Sequence, residues 1–312
     1  MKKVLKLFIF VFVGLLILLS ILFGHLDRSV NDLKSKYAPA PSAFVQVMGM
    51  DVHYRDEGNL QDTLPLVLIH GTGSSLHTFD AWTHILKENK RVVRMDLPGF
   101  GLTGPFSDGN YTIDHYVNFM AAFLAARGIQ HCIVAGNSLG GQIAWNFTLR
   151  HPEMAHKLIL IDAAGYPKNS TSVPLAFRVA QIPVLNKLLT FVTPRFVVKS
   201  SVQNVYADKT KITNELVDRY FDLSLRAGNR QALIDRMQMP YDTSQIRLIK
   251  NIQQPTLILW GAEDGLIPVE SAYRFQEDLP NDTLVILKNT GHVPMEENPE
   301  ESLEAILHFI EQ

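Results

Sequence analysis

The sequence predicts an α/β fold built on a parallel sheet with helices on both faces. Three observations predict it. Apolar runs of strand length alternate with runs of helical spacing along most of the chain. Several of the strand-like runs, such as Leu64 to Ile69 and Thr256 to Trp260, are apolar at consecutive positions, the pattern of strands buried on both faces. The alternation breaks once, between residues 166 and 252, where roughly 85 residues carry Pro167, Pro174, Pro183, Pro194 and Pro240, helix-like runs and no strong strand.

The N-terminal segment stands apart from this pattern. Met1-Lys2-Lys3 and Lys6 precede an apolar run from Leu7 to Phe23, interrupted only by Gly14 and Ser20. As a helix these 17 residues span about 25 Å, the low end of a membrane crossing, and Val4 and Leu5 extend it if Lys6 snorkels. A cleaved signal peptide shares the basic start. Its usual apolar region is shorter, however, and Ser20-Ile21-Leu22 and Leu22-Phe23-Gly24 fail as small-x-small cleavage sites. Ala38-Pro39-Ala40 would pass but lies far downstream. The expectation is an uncleaved anchor over 1–24. The lysines then keep the N-terminus cytoplasmic, and the rest of the chain lies on the outer, periplasmic or extracellular side of the membrane. Residues 25–42, ending in Tyr37-Ala38-Pro39-Ala40-Pro41, read as a tether. The core is then 43–165 together with 253–312, and the helical insertion is 166–252.

Within the core, Ala43 to Val47 and Asp51 to Arg55 read as a hairpin about Gly49. Leu64 to Ile69 is a strand, Thr78 to Asn89 a helix, and Arg91 to Met95 a strand ending in Asp96-Leu97-Pro98-Gly99. Thr112 to Gly128 places Ile113, Tyr116, Val117, Met120 and Leu124 on one helical face. Cys132 to Ala135 is a strand, Leu139 to Arg150 a helix stopped by His151-Pro152, and Lys157 to Ile161 a strand. In the insertion, Leu175 to Val179, Leu185 to Phe191 and Asn214 to Leu225 have helical character. Pro255 to Gly261 is the next strand, Val269 to Leu279 a helix, Thr283 to Leu287 the last strand and Pro299 to Glu311 the last helix.

Composition narrows the function classes. A formal net charge of −2 gives no reason to expect nucleic acid as a partner. Cys132 is the single cysteine, so no intramolecular disulfide forms, and its apolar setting reads as a buried thiol.

The chemistry starts at Gly136-Asn137-Ser138-Leu139-Gly140, a Gly-x-Ser-x-Gly stretch between a strand and a helix. That context lifts a serine hydroxyl to the carboxyl edge of a sheet on a tight, strained turn. Such a hydroxyl needs a base. Of eleven histidines, His292, in the loop Asn289 to Pro294 after the last strand, is the candidate. His25, His131, His151, His156 and His308 have no helper nearby in sequence, His77, His84 and His115 read as surface positions, and His70 as a loop brace. The base needs an orienting acid. Asp264, after the strand ending at Gly261, completes the chain order Ser, Asp, His, with Glu263 and Asp162 as rivals. Asp96 reads instead as a carboxylate binding loop amides. The expected oxyanion donors are the amides of Leu139, following the serine, and Thr72, in His70-Gly71-Thr72-Gly73-Ser74-Ser75. That glycine-rich loop lacks the Lys-Ser/Thr ending of a phosphate loop, and no paired histidines suggest a metal, so no cofactor is expected.

On these residues the chain resembles the α/β-hydrolase superfamily, from about 43 to 312. The resemblance rests on His70-Gly71, Asp96 to Gly101, Gly136 to Gly141, and Asp264 and His292 in their loops. It implies a mostly parallel eight-stranded sheet flanked by helices, with a helical cap inserted after the sixth strand and covering the pocket. It implies a serine hydrolase of the esterase or lipase type acting through an acyl-enzyme on a small-molecule ester or lipid-derived substrate. Serine at 138 separates the chain from haloalkane dehalogenases and epoxide hydrolases, which carry aspartate there. The Gly-Asn-Ser-x-Gly-Gly elbow is also similar to that of carbon–carbon hydrolases of ring-fission products, although those usually have tryptophan after the catalytic histidine and this chain has Val293-Pro294. Cofactor-free haloperoxidase-like enzymes share the triad, and a binding module that has abandoned the chemistry is a further alternative.

Overall fold

In a computed structural model, residues 22–312 are described except 168, 184 and 241, together with residues 10 and 14. Eight strands form one sheet: Ala43–Val47 (β1), Met50–Glu57 (β2), Leu66–Ile69 (β3), Val92–Met95 (β4), Cys132–Asn137 (β5), Ala155–Ile161 (β6), Thr256–Gly261 (β7) and Asp282–Leu287 (β8). Their spatial order is β1-β2-β4-β3-β5-β6-β7-β8. β2 pairs antiparallel with β1 and β4, and the remaining pairs are parallel. The chain moves from β3 outward to β4, then crosses back to place β5 on the other side of β3. The loops after β3 and β5 therefore diverge from neighbouring strand ends, which is where open α/β sheets form their binding crevice.

The helices among the described residues are Val30–Tyr37 (α1), Asp80–Leu86 (α2), Ile113–Ala126 (α3), Leu139–Arg150 (α4), Leu175–Ala180 (α5), Leu185–Leu188 (α6), Arg195–Gln203 (α7), Asn214–Ser224 (α8), Asn229–Gln238 (α9), Glu270–Asp278 (α10), Pro294–Glu297 (α11) and Pro299–Glu311 (α12). Successive residues of a strand face opposite sides, so the unbroken apolar run of β3 feeds two cores. Val67 and Ile69 pack with Phe119, Phe123 and Phe147 of α3 and α4. Leu66 and Leu68 pack with Trp82 of α2 and Leu303, Ile306 and Phe309 of α12. The Cys132 thiol lies in the first core, and burial pushes it up to about 12, beyond easy ionisation.

Helices α5 to α9 form an insertion between β6 and β7. The expected helical runs coincide with α5, α6 and α8. Helices α7 and α9 add to those runs, α7 directly after Pro194 and α9 shortly before Pro240.

Two expectations at the N-terminus are corrected. Among the described residues no helix is long and apolar enough to cross a membrane, so the anchor over 1–24 is not supported, nor the outer-side location drawn from it. Most of that segment lies outside the described residues. Nor are residues 25–42 a free tether. Ser29 caps α1 in a reciprocal capping box with Asp32, and Leu33 and Tyr37 are buried. The backbone of His25 donates to Phe191 O and that of Arg28 to Leu225 O, at 3.1 and 2.7 Å. Asp222 of α8 then gathers the Tyr37 hydroxyl at 2.7 Å, Arg28 at 2.9 Å and Lys36 at 2.9 Å. The charges that read as a solvated linker thus converge on one carboxylate of the insertion.

Burial alone would raise the Asp222 carboxyl, but the Tyr37 hydroxyl, Lys36 and Arg28 hold it below its ordinary value. A carboxyl lowered in this way stabilises the fold above the usual carboxylate range, and that contribution is lost as pH falls through the lowered value. Asp222→Asn is therefore expected to lower the melting temperature by a few degrees at pH 7. The gap from wild type should close below about pH 4. Equal melting curves at pH 7 would show that the clasp contributes nothing.

Candidate active site

At the end of β5 the chain reverses through one residue. Ser138 has φ 57° and ψ −116°, a strained conformation for a residue with a side chain, and α4 begins at Leu139. Two close approaches make this turn possible. A Cβ on Gly136 would lie 2.1 Å from Gly140 O, and one on Gly140 would lie 2.1 Å from Ile69 O of β3. Both obstacles are backbone and cannot swing aside, so only glycine fits. The half-buried Ser138 side chain faces a cavity of about 140 Å³ that Thr72 and His292 also line.

His292 lies in the loop after β8. Its Nδ1 is 2.6 Å from Asp264 Oδ2, and both residues are buried. The other carboxylate oxygen, Asp264 Oδ1, accepts from the amides of Leu266 and Ile267 at 2.8 and 2.9 Å. The acid is thus fixed by its own loop before it meets the histidine. Neither rival carboxylate takes its place. Glu263 is exposed. Asp162, at the end of β6, stands behind Asp264 with Oδ1 accepting from Gly261 N at 2.9 Å. Burial first, and then the charge of Asp264, raise its carboxyl well above the usual range. Ligand-type atoms of Asp162, Asp264 and His292 lie within 4.8 Å of one another, the one such group among the described residues. Asp264 and His292 are already bonded to each other there.

The expected oxyanion donors frame the serine. Thr72 lines the first cavity and, with Ser138 and Leu139, a second of about 470 Å³. Leu139 opens α4, where the first amides lack intrahelical partners. His70 braces the Thr72 loop, with Nδ1 2.8 Å from Gly71 O and Nε2 accepting from Leu97 N at 2.9 Å. Asp96 binds the amides of Leu76 and Leu102, both at 2.8 Å, and in addition His53 Nδ1 at 2.7 Å. His77 is not a surface residue: it is buried, with Nε2 2.9 Å from Tyr37 O.

A sequence profile described as alpha/beta hydrolase fold matches residues 65–299, more than half of the chain. The chain belongs to the alpha/beta hydrolase family. It is a hydrolase of that fold, with the eight-stranded, mostly parallel sheet that the family implies. Among its curated relatives is an uncharacterised hydrolase, YugF, of Bacillus subtilis, 29% identical over 273 residues that cover 88% of this chain and 99% of the relative. Another is the 2-hydroxy-6-oxo-6-(2'-aminophenyl)hexa-2,4-dienoic acid hydrolase of Metapseudomonas resinovorans, 27% identical, with 86% and 90% covered. Among solved structures, a bacterial membrane phospholipase A described as a virulence factor is 27% identical with a TM-score of 0.72, covering 100% of this chain and 98% of that one.

The structure adds supporting residues around Ser138 and His292 that the sequence does not single out. Asn137 donates through Nδ2 to Ile161 O at 3.2 Å and to His292 O at 2.9 Å, linking the serine turn to the histidine loop. Glu297, almost fully buried, accepts from Gly291 N at 2.7 Å and from Asp208 N of the insertion at 2.6 Å. Glu296 accepts from the hydroxyls of Tyr206 and Tyr220 at 2.9 and 3.2 Å and pairs with Arg219. His292 N itself donates to Val205 O at 2.8 Å. The only sequence signal for these links is a pair of glutamates shortly after the histidine, where Pro294 starts a helix.

Gly140→Ala is expected to destabilise by about 1–3 kcal/mol or more, as overpacking against fixed backbone does. Thermal melting checks this, and an unchanged midpoint would mean that β3 can retreat.

Proposed function

We propose that the chain cleaves carboxylic esters with apolar acyl groups through Ser138, His292 and Asp264. The observation that carries this reading is the buried 2.6 Å contact between His292 Nδ1 and Asp264, with Ser138 on a strained turn facing the same cavity. A carboxylate at Nδ1 keeps the proton there and leaves Nε2 free to take one from a hydroxyl. In the reading, Ser138 Oγ attacks the ester carbonyl as His292 Nε2 removes its proton. Asp264 holds the charged imidazole, and the amides of Thr72 and Leu139 hold the tetrahedral oxyanion. His292 then returns the proton to the leaving alcohol, and water releases the acid by the same steps. Asn137 and Glu297 are positioning residues, acting on the histidine loop.

The helical insertion acts as the cap of this site. The cavity at Ser138 is roofed by apolar side chains of the insertion, including Phe177, Val198 and Val202, and continues into a second apolar cavity of about 100 Å³ beside Leu189 and Val197. Among the described residues, the one charged side chain lining that extension, Arg230, is paired with Asp27. Such walls favour an apolar acyl arm.

A second reading, cleavage of a carbon–carbon bond next to a carbonyl, is favoured by Asn137 in the elbow and by the named activity of the Metapseudomonas relative. It uses the same three residues. Labelling with a fluorophosphonate probe is expected in wild type and absent in Ser138→Ala. Asp264→Asn should lower turnover of 4-nitrophenyl esters on the order of 10⁴-fold. No labelling and no ester turnover by folded protein would sink the ester reading. Turnover of a ring-fission dienoate exceeding that of every ester would favour the second.

A further inference from the structure

Beyond Ser138 the pocket narrows and opens again. The cavity that the serine faces, of about 140 Å³, continues into the apolar extension of about 100 Å³ beside Leu189 and Val197. Among the described residues, the walls common to both are Gly73, Ser74, Ala176, Val198, Ser224 and Leu233. These six mark the passage between the two spaces. Gly73 and Ser74 belong to the loop after β3 that carries Thr72, and the other four come one each from α5, α7, α8 and α9.

Most of these side chains are short, and none is charged. Gly73 has no side chain, and a Cβ there would meet no atom within 4 Å. Ala176 ends at its methyl group. The serine hydroxyls already have partners. Ser224 Oγ donates to Phe221 O at 2.7 Å, and Ser74 Oγ lies 3.4 Å from the Tyr220 hydroxyl. An apolar group crossing here therefore strips no unpaired polar atom of water.

We infer that the acyl arm is an unbranched chain that threads this passage, with Ala176 and Val198 as the residues that set its permitted length and width. The inference rests on the reading of Ser138 as the reacting centre of an ester hydrolase. A chain of methylenes keeps one cross-section along its length, whereas a branch is wider. Each methylene that enters apolar walls is worth up to about fourfold in kcat/KM. Ala176 lies inside α5, where leucine preserves the helix and its added carbons would occupy the passage. Val198→Ala in α7 instead widens it.

The test compares three 4-nitrophenyl esters: butanoate, octanoate and 5,5-dimethylhexanoate, the last an isomer of the octanoate with a branched end. In wild type, kcat/KM for the octanoate is expected to exceed that for the butanoate by roughly 10- to 100-fold, within the ceiling for four methylenes. It should also exceed that for the branched isomer. In Ala176→Leu the ratio of octanoate to butanoate should fall toward one. In Val198→Ala the ratio of octanoate to its branched isomer should fall. Equal kcat/KM for all three esters in wild type overturns the inference while leaving the serine hydrolase intact. So does an octanoate-to-butanoate ratio that survives Ala176→Leu in protein of unchanged melting point. Should Ala176→Leu fail to fold, the branched ratio in Val198→Ala decides, and no change there overturns the inference. Should no ester be turned over, the serine reading fails separately. Calorimetry with 1-butanol and 1-octanol then decides the passage: tighter binding of 1-octanol by a margin lost in Ala176→Leu supports it, and equal binding overturns it.

Discussion

The site depends on how closely the backbones of β3, β5 and α4 approach one another. The turn at Ser138 exists because Gly140 lies against Ile69 O and Gly136 against Gly140 O, with no room for a Cβ at either place. That crowding is also what forces Ser138 to positive φ and projects its side chain off the sheet edge. Parallel pairing of β3 with β5 and of β6 with β7 supplies the frame, since it sets every strand end that carries a functional loop on the same edge. Buried apolar packing on both faces holds this frame rigid enough to maintain a strained residue.

Around this frame the acid and the base are fixed in different ways. Asp264 is held locally, by amides two and three residues ahead. The His292 loop is held from outside, by Asn137 of β5, by Val205 O and by glutamates of the following helix that also bind the insertion. Both loops also meet the insertion: Thr171 N and Ser172 N donate to Gly265 O of the acid loop, both at 2.8 Å, and Val205 O and Asp208 N bind the His292 loop and Glu297.

The same contrast explains what could be read from the sequence. The sheet, its flanking helices and the three residues Ser138, Asp264 and His292 leave local signatures: apolar runs of strand length, glycines flanking a serine, polar loops after strands. Helix α4 begins and ends where the pattern predicts. What depends on distant contact was not legible. Residues 25–42 look like a linker because Arg28, Lys36 and Tyr37 have no local partner, and Asp222, which they meet, is far along the chain. The link from Asn137 to His292 O spans 155 residues and follows from sheet topology, not from sequence spacing. Helices α7 and α9 lie beside Pro194 and Pro240, which interrupt the pattern of the insertion.

Val205 O, which receives the His292 amide, has a wider consequence. The insertion lines the Ser138 cavity and also holds the loop that carries His292. A rigid outward swing of the whole insertion would therefore pull on the His292 loop while it uncovered Ser138.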